Sequence, residues 1–435
     1  MTPKISPAFR TSFLFVTGLL GAAFVALSLE NAGQRWGIWS PEILQETEAD
    51  FLRPLPPRAL SQQDLRDARL AWRYFEAHLQ SETGLVDSVA GFPSTTIWDQ
   101  GSYVLATVSA HRLNLVSDVA FSTRMDRFLE SFSKMDLFDD TLPNKAYDTR
   151  DLAMTDYANN RTVQGIGWSA LDVARILLAF RVLERHSPEL SPAIQKVIMR
   201  WDLAAFAHDG ELWGMNVEAT ERALLQEGRL GYEQYGARAS ALFGLDVSLA
   251  MSAERNLSWT DVSGVKIPKD RRTASYYHAI TPILSEPFLL AAFEIGLDSE
   301  GRILAHKIYA AQQARFEDTG IPTMVSEDHV DTTPSFLYSS VFANGEDWAV
   351  VSEAGDFHNE LRTLSTKAVF GWDALYDTPY SNAMREELNK LSRNENGWQA
   401  GIYEASQKPN TALTLNTNAV ILEAIHFKAF GPLLK

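Results

Sequence analysis

The chain has 435 residues, no cysteine and a formal net charge of −16. The missing thiol excludes disulfides, thiolate metal sites, cysteine nucleophiles and a lipid-modified N-terminal cysteine. The negative charge opposes binding to nucleic-acid phosphates and anionic head groups, so no nucleic-acid partner is expected.

The N-terminus carries Lys4 and Arg10, followed from Thr11 to Leu29 by a charge-free apolar run long enough to cross a hydrocarbon core as a helix. Basic residues before such a run keep the N-terminus cytoplasmic and send the rest across. Residues 1–30 are therefore expected to be a membrane anchor or a signal segment, with Ala26-Leu27-Ser28 as a passable cleavage site. The expectation is a periplasmic domain tethered to the inner membrane by residues 11–29. Residues 31–60 read as a linker, because Arg53-Pro54-Leu55-Pro56-Pro57 favours extended geometry.

The folded part begins at Ser61, an N-cap signal before apolar residues at helical spacing: Leu65, Ala68, Ala71, Trp72, Phe75 and Leu79. From there to residue 435 a theme recurs about six times: a loop rich in Gly, Asp, Trp or Tyr, a strongly apolar helix, then a more polar one. The spacing is roughly 50 to 70 residues, near one helical hairpin plus a functional loop. Sustained period-two alternation is missing. The predicted fold is all-α, an (α/α)6 barrel of six helical hairpins in a ring whose loops make a cleft at one rim.

Acidic residues recur beside aromatic residues or glycine where loops enter the apolar helices. Trp98-Asp99 precedes the first, Gly167-Trp168-Ser169-Ala170-Leu171-Asp172 the second, and Gly231-Tyr232-Glu233-Gln234-Tyr235 the third. Ser326-Glu327-Asp328 and Tyr403-Glu404 lie in later loops. Breaking a glycosidic bond requires one carboxylic acid to protonate the leaving oxygen, a second carboxylate to activate water or attack, and aromatic rings to hold the sugar. The competing reading makes each acid an N-cap or a partner of a helix dipole. Asp172 stands out because an unpaired carboxylate in an apolar helix is costly. Glu327-Asp328-His329-x-Asp331 lacks the alternating oxygen ligands of a calcium loop, so neither metal nor cofactor is expected.

The series TGLVDS, TTIWDQGSY, PNKAY, GWSALDVARIL, GYEQY, SEDHVD, GWQAGIYE and NTNAVILEAI resembles a bacterial envelope family that shares the glucoamylase-like barrel of β-1,2-glucanases. The resemblance runs from about Ala71 onward. The glucanases carry important carboxylates in segments of the form DLVETA and GYNEA. Asp172 stands at the Glu of the first, Ser169 replaces its leading Asp, and Glu233 lies one position from the Glu of the second. The resemblance implies glycan binding and carboxylate acid/base hydrolysis of a β-glucan.

On this reading Glu233 is the acid and Asp172 the base or its orienting partner, with Asp99, Glu327 and Asp328 in support. Trp98, Trp168, Tyr232, Tyr235, Tyr403 and Glu404 contact sugar. Two alternatives stay open. One is a catalytically silent glycan-binding or assembly protein, favoured by Ser169. The other is a polysaccharide lyase using Tyr276-Tyr277-His278.

Overall fold

The computed structural model describes residues 51–218, 221–273, 279–389 and 393–435. The apolar run at 11–29 and Tyr276-Tyr277-His278 lie outside the described residues. Among the described residues no helix is long and apolar enough to cross a membrane.

In chain order the helices are α1 (Gln62–Ala77), α2 (Ile97–Arg112), α3 (Asp118–Phe132), α4 (Ala170–His186), α5 (Ser191–Ile198) and α6 (Tyr232–Ala241). Then come α7 (Glu286–Leu290, continued by a π turn over Ala291–Ile295), α8 (Ser299–Thr319), α9 (Thr366–Tyr376), α10 (Pro379–Leu388) and α11 (Leu415–Phe430). Helices α2, α4, α6, α7, α9 and α11 each pack on the next, and α11 returns to α2, so these six close a ring. Around it, α1 packs on α11, α3 on α2, α5 on α4, α8 on α7 and α10 on α9.

The sequence explains the two layers. Every residue of α9 is buried, and α4 and α11 bury nearly every turn, as helices enclosed by a second layer must. Four inner helices start on a hydroxyl N-cap that accepts from the main-chain amide three residues on: Thr96, Ser169, Ser365 and Thr414. Ring closure also needs small residues at the contacts. A Cβ at Gly371 of α9 would come 2.5 Å from Leu289 Cδ1 of α7, and one at Gly236 of α6 would come 2.9 Å from Leu171 Cδ2 of α4.

Two features depart from the expected all-α ring. Between α6 and α7 no outer helix is found among the described residues. An antiparallel hairpin, Leu257–Val262 with Val265–Asp270, stands in that interval and packs on α8. The rim loops also pair into short antiparallel strands, including Ser94–Thr96 with Ala146–Asp148 and Glu327–His329 with Phe336–Ser339. Pairing gives these loops partners for main-chain groups that an enclosed rim would leave unsatisfied, and strands of three or four residues are too short to show as alternation.

The end of the expected linker is held by the barrel. Phe51 is buried edge-on to His306, Leu55 N–H donates to Leu375 O at 2.9 Å, and Arg58 N–H donates to Lys428 O at 2.7 Å.

Candidate active site

The inner helices present their N-terminal turns to one mouth. Trp98 and Asp99 lie in the first turn of α2, Asp172 in that of α4, Tyr232 in α6, Glu286 in α7, Lys367 in α9 and Asn416 in α11. Converging helix N-termini favour negative charge, and three of these groups, Asp99, Asp172 and Glu286, are acidic.

On one wall, Asp172 and Glu227 meet at Ser169. The Ser169 hydroxyl lies 2.9 Å from Asp172 Oδ1 and 2.6 Å from Glu227 Oε1, while Ala170 N–H donates to Glu227 Oε2 at 2.7 Å. One hydroxyl proton cannot be given to both carboxylates, so a second proton belongs to the group. Burial, then the charge of Glu227, push the Asp172 carboxyl up to about 7. A protonated Asp172 donates to Ser169, which donates to Glu227.

On the other wall, Glu327 accepts from the Tyr232 hydroxyl and from Ser326 Oγ at 2.6 Å. Burial and the nearby Glu286 push it up to about 7 as well. Glu286 is ion-paired with the buried Lys367 and accepts from Asn416 Nδ2 at 3.0 and 3.1 Å. Lys367 Nζ also lies 4.0 Å from Asp328, which accepts from Thr417 Oγ1 at 2.5 Å. Asp99 accepts from Ser88 Oγ at 2.6 Å and Thr96 Oγ1 at 2.9 Å; burial raises its pKa.

The two walls belong to one cleft. The Tyr338 phenol is pushed up by burial and then by the charges of Glu353, Glu327 and Glu227 together. The Tyr157 phenol is pushed up by burial and then by Asp172, Glu353 and Glu227, although 59% of Tyr157 is open to solvent. Both phenols thus lie within electrostatic reach of the carboxylates at the mouth, with Tyr157 open to solvent.

Of the carboxylates expected from the sequence, the structure brings Asp99, Asp172, Glu327 and Asp328 to this mouth. Glu233 departs from that expectation. It is 1% exposed and bound by Arg272 Nη2 at 2.6 Å and by Gln226 Nε2 at 3.0 Å. Adjacent helical residues point about 100° apart. When Tyr232 faces Glu327, Glu233 is turned into the packing.

Among the expected sugar contacts, Trp98 and Tyr232 are partly open and meet edge to face. The others serve the scaffold. Trp168 is buried and donates to Trp213 O, and Tyr235 donates to Glu294 Oε2 in the core. Tyr403 donates to Asp331, and Glu404 is clamped by Arg315 and Arg362. Sequence reasoning missed Glu227, Glu286, Lys367, Tyr157, Tyr338 and Glu353. Lys367 and Glu286 had a readable signal, a charge in the first turn of an apolar helix. Among the described residues no group of three or more His, Cys, Asp or Glu is placed to hold a metal.

Ring, mouth and cleft together define an (α/α)6-type barrel with an acidic site at the inner-helix N-termini. The chain belongs to the DUF3131 family, described as a protein of unknown function, whose profile matches residues 66–431. No curated protein sequence matches it. In fold it is similar to an endo-β-1,2-glucanase from Chitinophaga pinensis solved with sophorotriose and glucose, at TM-score 0.62 and 11% identity over 86% of this chain and 94% of that one. It is similar also to a glucoamylase-like protein from Bacteroides fragilis NCTC 9343, at TM-score 0.61 and 12% identity over 88% and 95%. A third is the endo-β-1,2-glucanase from Talaromyces funiculosus solved with sophorose, at TM-score 0.56 and 13% identity over 86% and 85%.

Proposed function

We propose that the protein is a glycoside hydrolase that cleaves a β-glucan, with a β-1,2-linked chain as the first candidate from the glucanases whose fold it shares. The observation that carries this reading is the pair of carboxyls at the mouth, Asp172 and Glu327, each pushed up to about 7. A general acid must hold its proton near neutral pH. Asp172 is the more open of the two and already has a proton to give, so it is assigned as the acid that protonates the leaving oxygen. Glu327, held by Tyr232 and Ser326, is the counterpart that activates water or attacks the anomeric carbon. Trp98, Tyr157 and Tyr338 supply ring faces for the sugar.

Ser169 stands where the resembled glucanases have Asp, which favours a silent binding protein; against this, Glu227 supplies a carboxylate at the same point, 2.6 Å from the serine hydroxyl. The acidic mouth also opposes a uronate substrate and with it a lyase. Incubation with β-1,2-, β-1,3- and β-1,4-glucans followed by product separation tests the reading. Shorter saccharides lost in Asp172→Asn support hydrolysis. Binding without products from any glucan supports the silent protein instead.

The same proposal places the domain in the periplasm, tethered to the inner membrane through residues 11–29. A reporter that is active only in the periplasm, fused after Lys435, is expected to be active. Activity of a cytoplasm-only reporter there would reject the location.

A further inference from the structure

Beneath the cleft floor lies a polar network that the proposed chemistry does not use directly. Arg175 sits three residues, almost one turn, beyond Asp172 on α4 and is 0% exposed. Its Nε donates to Ser102 Oγ at 3.0 Å, and its Nη1 donates to Tyr235 Oη and Glu294 Oε1, both at 2.8 Å. Its guanidinium carbon stands 4.5 Å from the Trp98 ring centroid. Gly101 makes the room, since a Cβ there would meet the Arg175 stem at 3.1 Å.

Two links run upward from this cation. The Trp98 main-chain N–H faces the Asp172 carboxyl closely enough to lower its pKa. Ser102 donates to Asn416 Oδ1 at 3.1 Å, and Asn416 donates to Glu286, the partner of Lys367 beside Glu327. The two walls of the cleft therefore rest on one buried guanidinium.

Charge balance supports the same picture. Arg175 and Lys367 face Glu286, Glu294, Glu423 and Asp328, more carboxylates than cations for a region closed to water. Glu423 is the least compensated of them. Neither of its oxygens accepts a hydrogen bond from a donor side chain, and its nearest Arg175 nitrogen is 3.6 Å away. Burial and Glu294 push its pKa well up.

We infer that Arg175 is a positioning residue: from α4 it holds Trp98 of α2 from below, so that the Trp98 amide keeps Asp172 in the orientation from which it delivers its proton. The inference rests on the proposed hydrolase reading for its kinetic consequence and on geometry alone for its structural one. It predicts that the guanidinium fork is needed and not merely a positive charge, because a lysine reaches one of the three partners at a time.

The test uses the full chain with Arg175→Lys, and Ser102→Ala as the milder variant that keeps the guanidinium but removes one partner. On the glucan that the parent cleaves, Arg175→Lys is expected to lower kcat roughly 10²-fold with KM changed by less than about threefold, and to move the limb of the pH profile that reports the acid. Ser102→Ala is expected to shift the same limb in the same direction by less. An activity-free readout runs beside it: the pH dependence of Tm in the parent and in Asp172→Asn, each with and without Ser102→Ala. The Ser102→Ala change in that dependence is expected to vanish in the Asp172→Asn background. An unmoved pH profile in both variants, or a change in the pH dependence of Tm that persists in Asp172→Asn, overturns the positioning role. If the parent cleaves no glucan, the hydrolase reading fails, while the Tm cycle still decides whether the network acts on Asp172.

Discussion

Asp172 and Glu227 are held by a single hydroxyl, that of Ser169, at 2.9 and 2.6 Å. Because the hydroxyl has one proton and two carboxyl neighbours, the trio is stable only with a proton on one acid. Removing the transferable proton while keeping the shape is the direct test. Asp172→Asn is expected to reduce turnover by about 10²-fold or more, in the range of a lost general acid, with glycan affinity largely kept. Ser169→Ala lets the two carboxylates face each other without a mediator. It should raise the acid limb of the pH–rate profile and leave the protein folded.

The same trio fixes a dependence of stability on pH. Asp172 rises from an ordinary value of 3.8 to about 7 on folding, so the native state binds more protons than the unfolded chain between those values. Stability contributed by this proton is full below about pH 4 and is lost as pH rises through about 7. Glu327, raised from 4.5 to about 7, acts in the same direction. Asp172→Asn cannot lose a proton, so it should be more stable than the parent at pH 8, by on the order of 1 to 3 kcal/mol, and nearly equal to it at pH 4. Thermal melts at the two values check this. An equal offset at both would reject the shifted carboxyl.

Glu233 gives the opposite forecast from the one its sequence position invites. Its carboxylate closes on Arg272 at 2.6 Å inside the packing, and Arg272 also holds Asp270 at 2.5 Å. Glu233→Gln should cost on the order of 1 to 3 kcal/mol through a weakened buried pair, yet leave kcat within a few-fold in the folded fraction. Complete loss of turnover with an unchanged melting temperature would return Glu233 to the chemistry.

The inner ring was legible because helix-length apolar runs recur at hairpin spacing, and Asp172 was legible because a charge inside such a helix needs a partner. The missing outer helix between α6 and α7 was not. There the polar stretch from 257 to 270 forms a hairpin whose strands are only six residues long, and polarity alone separates an outer helix poorly from an exposed hairpin. Glu227, Glu353, Tyr157 and Tyr338 escaped because they come from rim loops, whose position over the mouth is set by strand pairing distant in sequence. The choice between Tyr232 and Glu233 depended on a helix rotation of one residue, which the motif GYEQY does not fix.

Lys367 offers the last prediction. It is 2% exposed in its side chain and paired with Glu286, itself 2% exposed, with Asp328 at 4.0 Å. Burial alone would lower a lysine pKa, but here the carboxylates win and raise it, so the ammonium is retained. Lys367→Met deletes the cation and leaves Glu286 buried beside Glu327 with Asn416 as its remaining donor. Breaking one side of a buried pair costs about 3 to 5 kcal/mol, so a large drop in Tm is expected at pH 8. The drop should shrink at pH 5, where Glu327 holds a proton that offsets the lost ammonium. Adding Glu286→Gln to Lys367→Met removes the stranded charge and should recover most of the lost stability, because a neutral pair of similar volume has no desolvation penalty to offset. Denaturant melts of the two single variants and the double variant measure that recovery directly. If the double variant is as unstable as the sum of the singles, Lys367 acts through packing and not as the counter-ion that lets two carboxyls share this wall.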